Sequence, residues 1–245
     1  MRFATTLLLL PMLGALGACP GPEATPDARP VDAAVDAPGG PDAAQCAGEL
    51  FLTGEYVDWD STDTNFHGVA NATFAIDNDA NPAHTDLTSP NGRAELCLPA
   101  TGRSRITITP AAAGPQYLIG HFVADAAVFA SGRIFSLRGL TPARASTFYA
   151  QFAPLAFDAG KPQLLVNVSG TPVPITLGGA SAEATLVYDK TAGTWSAGGT
   201  NTGTGNLVLF ANLDGSAPTI SGATIGDGAL TATAGELTMI TVVGQ

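Results

Sequence analysis

The sequence of 245 residues has few charged residues, few methionines and few aromatic residues. Charged residues make up 13% of the chain, aromatic residues make up 7%, and methionine occurs three times. Because Glu, Lys and Met favour helices, their scarcity argues against a fold of long surface helices. Gly, Ala, Thr, Ser and Pro are abundant instead, which is typical of β structure with many turns.

Positive charge is also scarce, with ten Lys and Arg residues against 21 Asp and Glu residues and a formal net charge of −11. Loss of Arg2 with a signal peptide would change this to −12. A negative surface repels phosphate, so neither nucleic acid nor anionic lipid is an expected partner. Eight carboxylates lie in 49–86 without Lys or Arg, and six arginines follow in 93–144. We expect the two sets to pair across neighbouring strands or to face water.

Beyond the N-terminus, the sequence lacks any apolar run of the about 20 residues that a membrane-spanning helix needs. The N-terminus combines Arg2 with the apolar run 7–13, which gives the charged start and short apolar stretch of a secretory signal. That run is too short to span a bilayer. We therefore predict that 1–18 is a signal peptide and that the chain is exported.

The motif Leu16-Gly17-Ala18-Cys19 resembles the lipobox of bacterial lipoproteins. In that family the cysteine takes a diacylglyceryl group, becomes the new N-terminus and is usually acylated again, with palmitate among the acyl chains. The resemblance implies lipidation at Cys19 and an anchor in the cell envelope, with the outer membrane favoured. Two or more acyl chains hold a protein effectively permanently, at about 0.8 kcal/mol per buried CH₂. The alternative is an ordinary secreted protein cleaved near Ala18.

The segment after Cys19 is unsuited to a packed fold. Residues 20–45 contain six prolines, seven alanines and no aromatic residue. Such a composition buries too little apolar surface to offset the entropy of ordering. We predict that 19–45 is a lipidated N-terminus followed by a disordered tether, with an average span of roughly 25–30 Å.

The cysteine count is odd, with three in the chain. If Cys19 carries lipid, Cys46 and Cys97 remain as a pair, and an oxidising compartment would join them in a disulfide. Closing a loop of about fifty residues would stabilise the fold by up to about 4 kcal/mol in the chain-entropy model. The alternative is two separate free thiols.

From residue 48 onward, apolar and polar residues alternate with a period of two, as in half-buried strands. For example, Phe74 and Ile76 share one face while Thr73 and Asp77 share the other. The pattern predicts an all-β fold of antiparallel β-sandwiches, with one brief helix at 126–131. The predicted strands are 50–57, 70–77, 93–98, 104–109, 117–124, 147–152, 163–168, 173–177, 183–188, 206–210 and 236–243.

One stretch of about fifty residues resembles the carboxypeptidase regulatory-like, transthyretin-like sandwich. The residues that carry the resemblance are Gly68-Val69, the strand at 72–76, the turn at 85–92, the strand at 94–98 with Pro99, and the strand at 104–109. A similar order recurs over 173–221, which implies two tandem Ig-like or transthyretin-like sandwiches, 46–155 and 156–245. In that family the sandwich is an accessory or binding module without its own active site. The alternative is a Gly-rich β protein without true repetition.

Common catalytic motifs are absent from the sequence. It has no G-x-S-x-G, H-E-x-x-H, C-x-x-C or G-x-x-x-x-G-K pattern. Its three histidines, His67, His84 and His121, lie in different predicted elements. A Ser-His-Asp triad assembled by the fold is therefore only a third hypothesis, that of a cryptic hydrolase.

Two runs of acidic residues suggest a metal-binding site. Asp58-x-Asp60-x-x-Asp63 and Asp77-x-Asp79-x-Asn81 place oxygen donors at close spacing in predicted loops, and such donors suit calcium. An EF-hand is excluded, because Pro82 stands where that loop needs glycine. The alternative is two solvated acidic turns.

The leading hypothesis is therefore a non-enzymatic envelope lipoprotein whose sandwiches contact protein or glycan, with no cofactor and no prediction of oligomeric state. A calcium-dependent adhesion or carbohydrate-binding protein is the second hypothesis. Trp59 and Trp195 would stack on sugar rings if exposed, but we favour burial in the core because aromatic residues make up only 7% of the chain.

Overall fold

The computed structural model describes residue 46 and residues 48–62, 65–130 and 134–244. These residues form 16 strands and two α-helices, α1 (Ala126–Ala130) and α2 (Pro142–Tyr149). Short 3-10 helices cover Pro82–His84 and Ala150–Phe152. No helix in this part of the chain is long and apolar enough to cross a membrane. The strands are β1 (Leu50–Asp58), β2 (Thr73–Ile76), β3 (Thr85–Leu87), β4 (Arg93–Leu98), β5 (Arg103–Thr109), β6 (Gly120–Asp125), β7 (Phe135–Gly139), β8 (Gln163–Ser169), β9 (Pro174–Gly178), β10 (Ala184–Asp189), β11 (Thr194–Ala197), β12 (Thr202–Thr204), β13 (Leu207–Ala211), β14 (Thr219–Ser221), β15 (Gly228–Ala229) and β16 (Leu237–Val243).

The strands of the described chain form three sheets. The largest has nine strands in the order β11-β10-β13-β8-β16-β6-β5-β2-β3, and the others have the orders β4-β1-β7 and β12-β9-β14-β15. Most neighbours are antiparallel, while β1–β7, β6–β16 and β8–β16 are parallel. The predicted all-β class with antiparallel sandwiches is confirmed.

The two predicted sandwiches share one sheet. The last strand, β16, lies between β6 of the first predicted half and β8 of the second. Leu237 on β16 is in register with both Gly120 and Gln163. The nine-stranded sheet therefore runs from 46–155 into 156–245 without a break at residue 155.

Two apolar cores lie on opposite faces of the nine-stranded sheet. On β8, Leu165 belongs to one core while Leu164 and Val166 belong to the other, and neighbouring strand residues point to opposite faces. The first core also contains Leu52 of β1, so the three-stranded sheet covers that face. The second contains Ile175 of β9, so the four-stranded sheet covers the other face.

Ten of the predicted strands are present with ends displaced by at most three residues, and the predicted helix at 126–131 is α1. The predicted strand at 147–152 is wrong, because α2 and a 3-10 helix occupy it. Thr141 caps α2 by accepting a hydrogen bond from the backbone N–H of Arg144, and Pro142 occupies the first turn. Both features favour a helix start over a strand.

The turn before β4 requires one glycine within it, Gly92, and one packed against it, Gly68. Gly92 has φ of +76°, and a side chain there would meet the carbonyl oxygen of Tyr56 at 2.2 Å. A side chain at Gly68 would meet the backbone of Asn91 at 2.1 Å. The backbone N–H of Tyr56 donates to the carbonyl of Gly92 at 2.8 Å, so the close approach is also a hydrogen-bonded one.

Candidate functional site

The predicted disulfide is present. Cys46 is bonded to Cys97 of β4, with 5.3 Å between their Cα atoms, and both residues are buried. Cys97 is in register with Phe51 of β1, so the bond lies beside the first strand pair. The start of the fold is thereby fixed covalently to its interior. Cys19 and the predicted tether 19–45 lie outside the described residues.

The first acidic run is used by side chains of the protein itself. Asp58 accepts a hydrogen bond from the Tyr117 hydroxyl at 2.9 Å, and burial together with this carboxylate raises the pKa of Tyr117. Asp60 receives two hydrogen bonds from the Arg144 guanidinium, at 2.5 and 2.6 Å. Asp63 lies outside the described residues.

The second acidic run is divided between two partners. Asp77 pairs with Arg105 at 2.7 Å, while Asp79 pairs with His84 at 2.6 Å. Within the described ranges, no three His, Cys, Asp or Glu side chains come together in a group that could hold a metal ion. The four described aspartates of the predicted calcium site thus all have protein partners, which are the Tyr117 hydroxyl, two arginines and His84. The Asp60–Arg144 and Asp77–Arg105 pairs do join the acidic and basic sets as predicted.

His84 is held between two carboxylates. Its Nδ1 lies 2.6 Å from Asp79 Oδ2 and its Nε2 lies 2.9 Å from Glu49 Oε1, while 7% of its side chain is exposed. Both ring nitrogens can donate only in the imidazolium form. Burial opposes that charge, but the hydrogen bonds to Asp79 and Glu49 outweigh it and raise the pKa of His84. The ion triplet joins the start of β1 to the turn before β3.

His121 is buried beside Glu236, and its Nδ1 lies 3.2 Å from Thr107 Oγ1. This resembles the hydroxyl, imidazole and carboxylate of a triad. However, the Thr107 hydroxyl donates its one proton to Asp77, so the imidazole does not activate it. His67 is exposed and lies in the loop after β1.

The two tryptophans belong to one aromatic cluster. Trp59 is 4% exposed, as predicted, and its ring stacks on that of Trp195 with centroids 5.6 Å apart. Trp195 is only partly buried and also contacts Tyr188, at 5.4 Å, and Phe148, at 5.2 Å. The cluster fixes the hairpin β10–β11 against α2 and the end of β1.

A cavity of about 430 Å³ lies beside this cluster. Its lining includes side chains from β7, β8 and β10 and from the turns after β10 and before β13, namely Ser136, Arg138, Asn167, Tyr188, Lys190 and Asn206. Arg138 Nη1 donates to the carbonyls of Trp59 at 2.8 Å and Ser61 at 2.9 Å, and Asn206 accepts from the Lys190 backbone N–H at 2.9 Å. Sequence spacing gave no signal for this site, because 70 positions separate Ser136 from Asn206.

No family model matches the chain, and no curated protein matches it. Among the solved structures that show a weak likeness are two bacterial proteins. The TIE protein of Bacillus anthracis is 14% identical with a TM-score of 0.25, over 80% of this chain and 34% of that one, so the chain spans about a third of its length. The shaft pilin SpaA from Lactobacillus rhamnosus GG, in a mutant form, is 10% identical with a TM-score of 0.28, over 80% and 98% of the two chains.

Proposed function

We propose that the protein is a lipid-anchored display protein of the cell envelope, in the outer membrane, and that its β fold contacts protein or glycan without catalysing a reaction. The observation that carries the proposal is the pairing of Cys46 with Cys97. The disulfide uses two of the three cysteines in the sequence, and the third, Cys19, lies in the lipobox-like motif. An unpaired cysteine in an exported protein is either a free thiol or modified, and lipidation is the modification that this motif indicates.

The position of the disulfide also supports the proposal. Cys46 directly follows the predicted tether. Because Cys46 is bonded to buried Cys97, a force on the tether acts on the paired strands β1 and β4. A fold displayed on a flexible segment benefits from such a fixed attachment point, because the first strand could otherwise fray. A disulfide further suits an oxidising compartment outside the cytoplasm.

We also propose kinship of 68–109 with the carboxypeptidase regulatory-like sandwich. Support comes from the antiparallel pairing of β2 with β5 and from the close backbone approach of Gly68 to the turn that contains Gly92. A binding role is supported by the polar cavity, whose lining offers carboxamides and hydroxyls for contact.

The proposal is tested by metabolic labelling of the full chain with radioactive palmitate in a bacterial host. We expect the wild-type protein to carry the label and Cys19→Ser to carry none and to retain 1–18. The matched control is Cys46→Ser, which removes a cysteine of the disulfide and should keep both label and processing. The proposal fails if Cys19→Ser is still labelled, or if it is processed normally and stays in the membrane fraction after a high-salt wash.

A further inference from the structure

The floor of the cavity is a row of side chains that crosses three strands of the nine-stranded sheet. Tyr188 of β10 is in register with Leu207 of β13, and Leu207 is in register with Asn167 of β8. Residues in register on neighbouring strands point to the same face of a sheet, and all three line the cavity. Because neighbouring strands lie about 4.8 Å apart, the floor changes from aromatic to apolar to polar over about 10 Å.

We propose that this floor binds a neutral saccharide. The apolar C–H face of a sugar ring would pack on Tyr188, and the sugar hydroxyls would bond the Asn167 carboxamide and the hydroxyl of Ser136, which lines the cavity from β7. The volume of about 430 Å³ falls within the range of about 300–1,000 Å³ that is typical of small-ligand sites. The inference rests on the proposed function, since it specifies the glycan contact made by the displayed fold.

The polar groups at this end of the floor have unused hydrogen-bonding capacity. Within the described chain, the side chains of Asn167 and Ser136 make no hydrogen bond. Thr241 of β16 is in register with Asn167, and its buried hydroxyl has no hydrogen-bond partner among the described residues either. Because protein polar groups that are removed from water are normally paired, such a surface favours a ligand with many hydroxyls.

The side chains of the floor, and not its backbone, are what a ligand can contact. Each of β8, β10 and β13 lies between two other strands, so its backbone groups are used in the sheet. A peptide that binds by strand addition needs an unpaired strand edge, which this floor does not offer. A saccharide bonds through hydroxyls to side-chain amides and hydroxyls and therefore suits the floor better.

Charge does not set the ligand class. Arg138 and Lys190 line the cavity, but both already have interaction partners, which for Arg138 include the carbonyls of Trp59 and Ser61. The formal net charge of −11 also opposes the approach of an acidic ligand. The neutral groups of the lining are therefore the ones that select the ligand.

Two groups of the cavity are held in place before a ligand binds. The Tyr188 ring is packed against Trp195, with centroids 5.4 Å apart. The Asn206 carboxamide oxygen accepts from the Lys190 backbone N–H at 2.9 Å, which leaves its two amide N–H groups as donors. Groups that are already ordered cost little entropy when a ligand binds.

The test is calorimetric titration of the full-length protein with three probes, in a detergent without a sugar headgroup. Cellotriose is a neutral trisaccharide, trigalacturonate is a trisaccharide with carboxylates, and acetyl-trialanine-amide is a neutral peptide. We expect cellotriose to bind at least about tenfold more tightly than either of the others. The inference is overturned if cellotriose does not bind or if its preference is smaller, because trigalacturonate would then show recognition of charge and the peptide would show a peptide site.

Variants locate the binding in the cavity. Asn167→Ala and Ser136→Ala should each weaken cellotriose binding by roughly three- to tenfold, because each removes a neutral hydrogen bond. The matched control is Ser196→Ala, which should bind as wild type does, because Ser196 is also an exposed serine on an edge strand but does not line the cavity.

The inference is overturned if either cavity variant, with a wild-type melting temperature, binds cellotriose as tightly as wild type, or if Ser196→Ala weakens binding equally. Ser136 is exposed, so Ser136→Ala leaves the core intact and decides the question if Asn167→Ala melts at a lower temperature.

The same preparation separates this inference from the proposed anchor. A wild-type protein that carries palmitate but binds no cellotriose would overturn the cavity assignment and leave the anchor standing. A wild-type protein that binds cellotriose but lacks palmitate would overturn the anchor and leave the cavity assignment standing.

Discussion

Raising the pH is expected to remove the stabilisation that His84 provides. The imidazolium donates to Asp79 at 2.6 Å and to Glu49 at 2.9 Å, and its pKa is raised above the ordinary value. A raised folded-state pKa means that folding favours the protonated form. The stabilisation is therefore fully present below the unfolded value of about 6.5 and is lost as the pH rises through the folded-state pKa.

The size of this effect follows from the contacts of His84. Hydrogen bonds to charged groups contribute about 1.5–3 kcal/mol. Glu49 and Asp79 are 27% and 31% exposed, so solvent screens both carboxylates. The burial of His84 also costs free energy. We therefore expect a net contribution of about 1 kcal/mol, or roughly 2–4 °C in the melting temperature of a fold of this size.

The assay compares melting temperatures of wild type and His84→Gln from about pH 5.5 to about pH 8.5. Taking the difference between the two proteins cancels the titration of other groups. Wild type should melt higher at low pH, and the difference should shrink as the pH rises. His67→Gln, which changes an exposed histidine outside the ion triplet, is the control for loss of a histidine as such. A difference that is constant or grows with pH would refute the assignment.

Three further outcomes are expected from thermal unfolding. Replacing Cys46 and Cys97 with Ala together should cost up to about 4 kcal/mol, while the same protein should become insensitive to reductant. Asn212→Ala should cost about 2–4 kcal/mol, because buried Asn212 bonds Gln163 and the carbonyl of Ala156 and has a φ of +50°; Asn212→Gly should keep the backbone and isolate the hydrogen bonds. Calcium at about 2 mM should leave the wild-type melting temperature within about 1 °C of that in chelator, because the described acidic runs already face protein partners; a larger rise would revive the calcium hypothesis.

The strands with one buried face could be predicted from the sequence. Ile106 and Ile108 on β5 are buried while their neighbours are more exposed, and this contrast is what a period of two reports. β7 carries the same signal in Phe135 and Leu137 and could have been predicted. β11 could not, because its four residues are exposed or only partly buried and hence show no contrast between two faces.

Local signals also explain why a strand was wrongly predicted at 147–152, where α2 ends. Thr147 and the aromatic residues after it have high β propensity, which predicted a strand. The cap at Thr141 and the proline that follows it lie six and five residues before Thr147 and decide the local structure. Propensity read at 147–152 without the start signal therefore gave the wrong element.

The shared sheet and the cavity depend on contacts that no local pattern encodes. β16 inserts in parallel between β6 and β8, more than 100 positions away from β6. The cavity takes residues from strands that meet only after this pairing. By contrast, the disulfide could be predicted by counting cysteines, because that argument needs no geometry.

The most direct test of the proposed anchor is the mass of the mature N-terminus. Cleavage of the purified protein before Asp27 should release 19–26, and its mass should exceed that of the peptide by a diacylglyceryl group and a further acyl chain. An unmodified Cys19, or a chain that begins elsewhere, would contradict the proposal that lipid holds this β fold at the membrane.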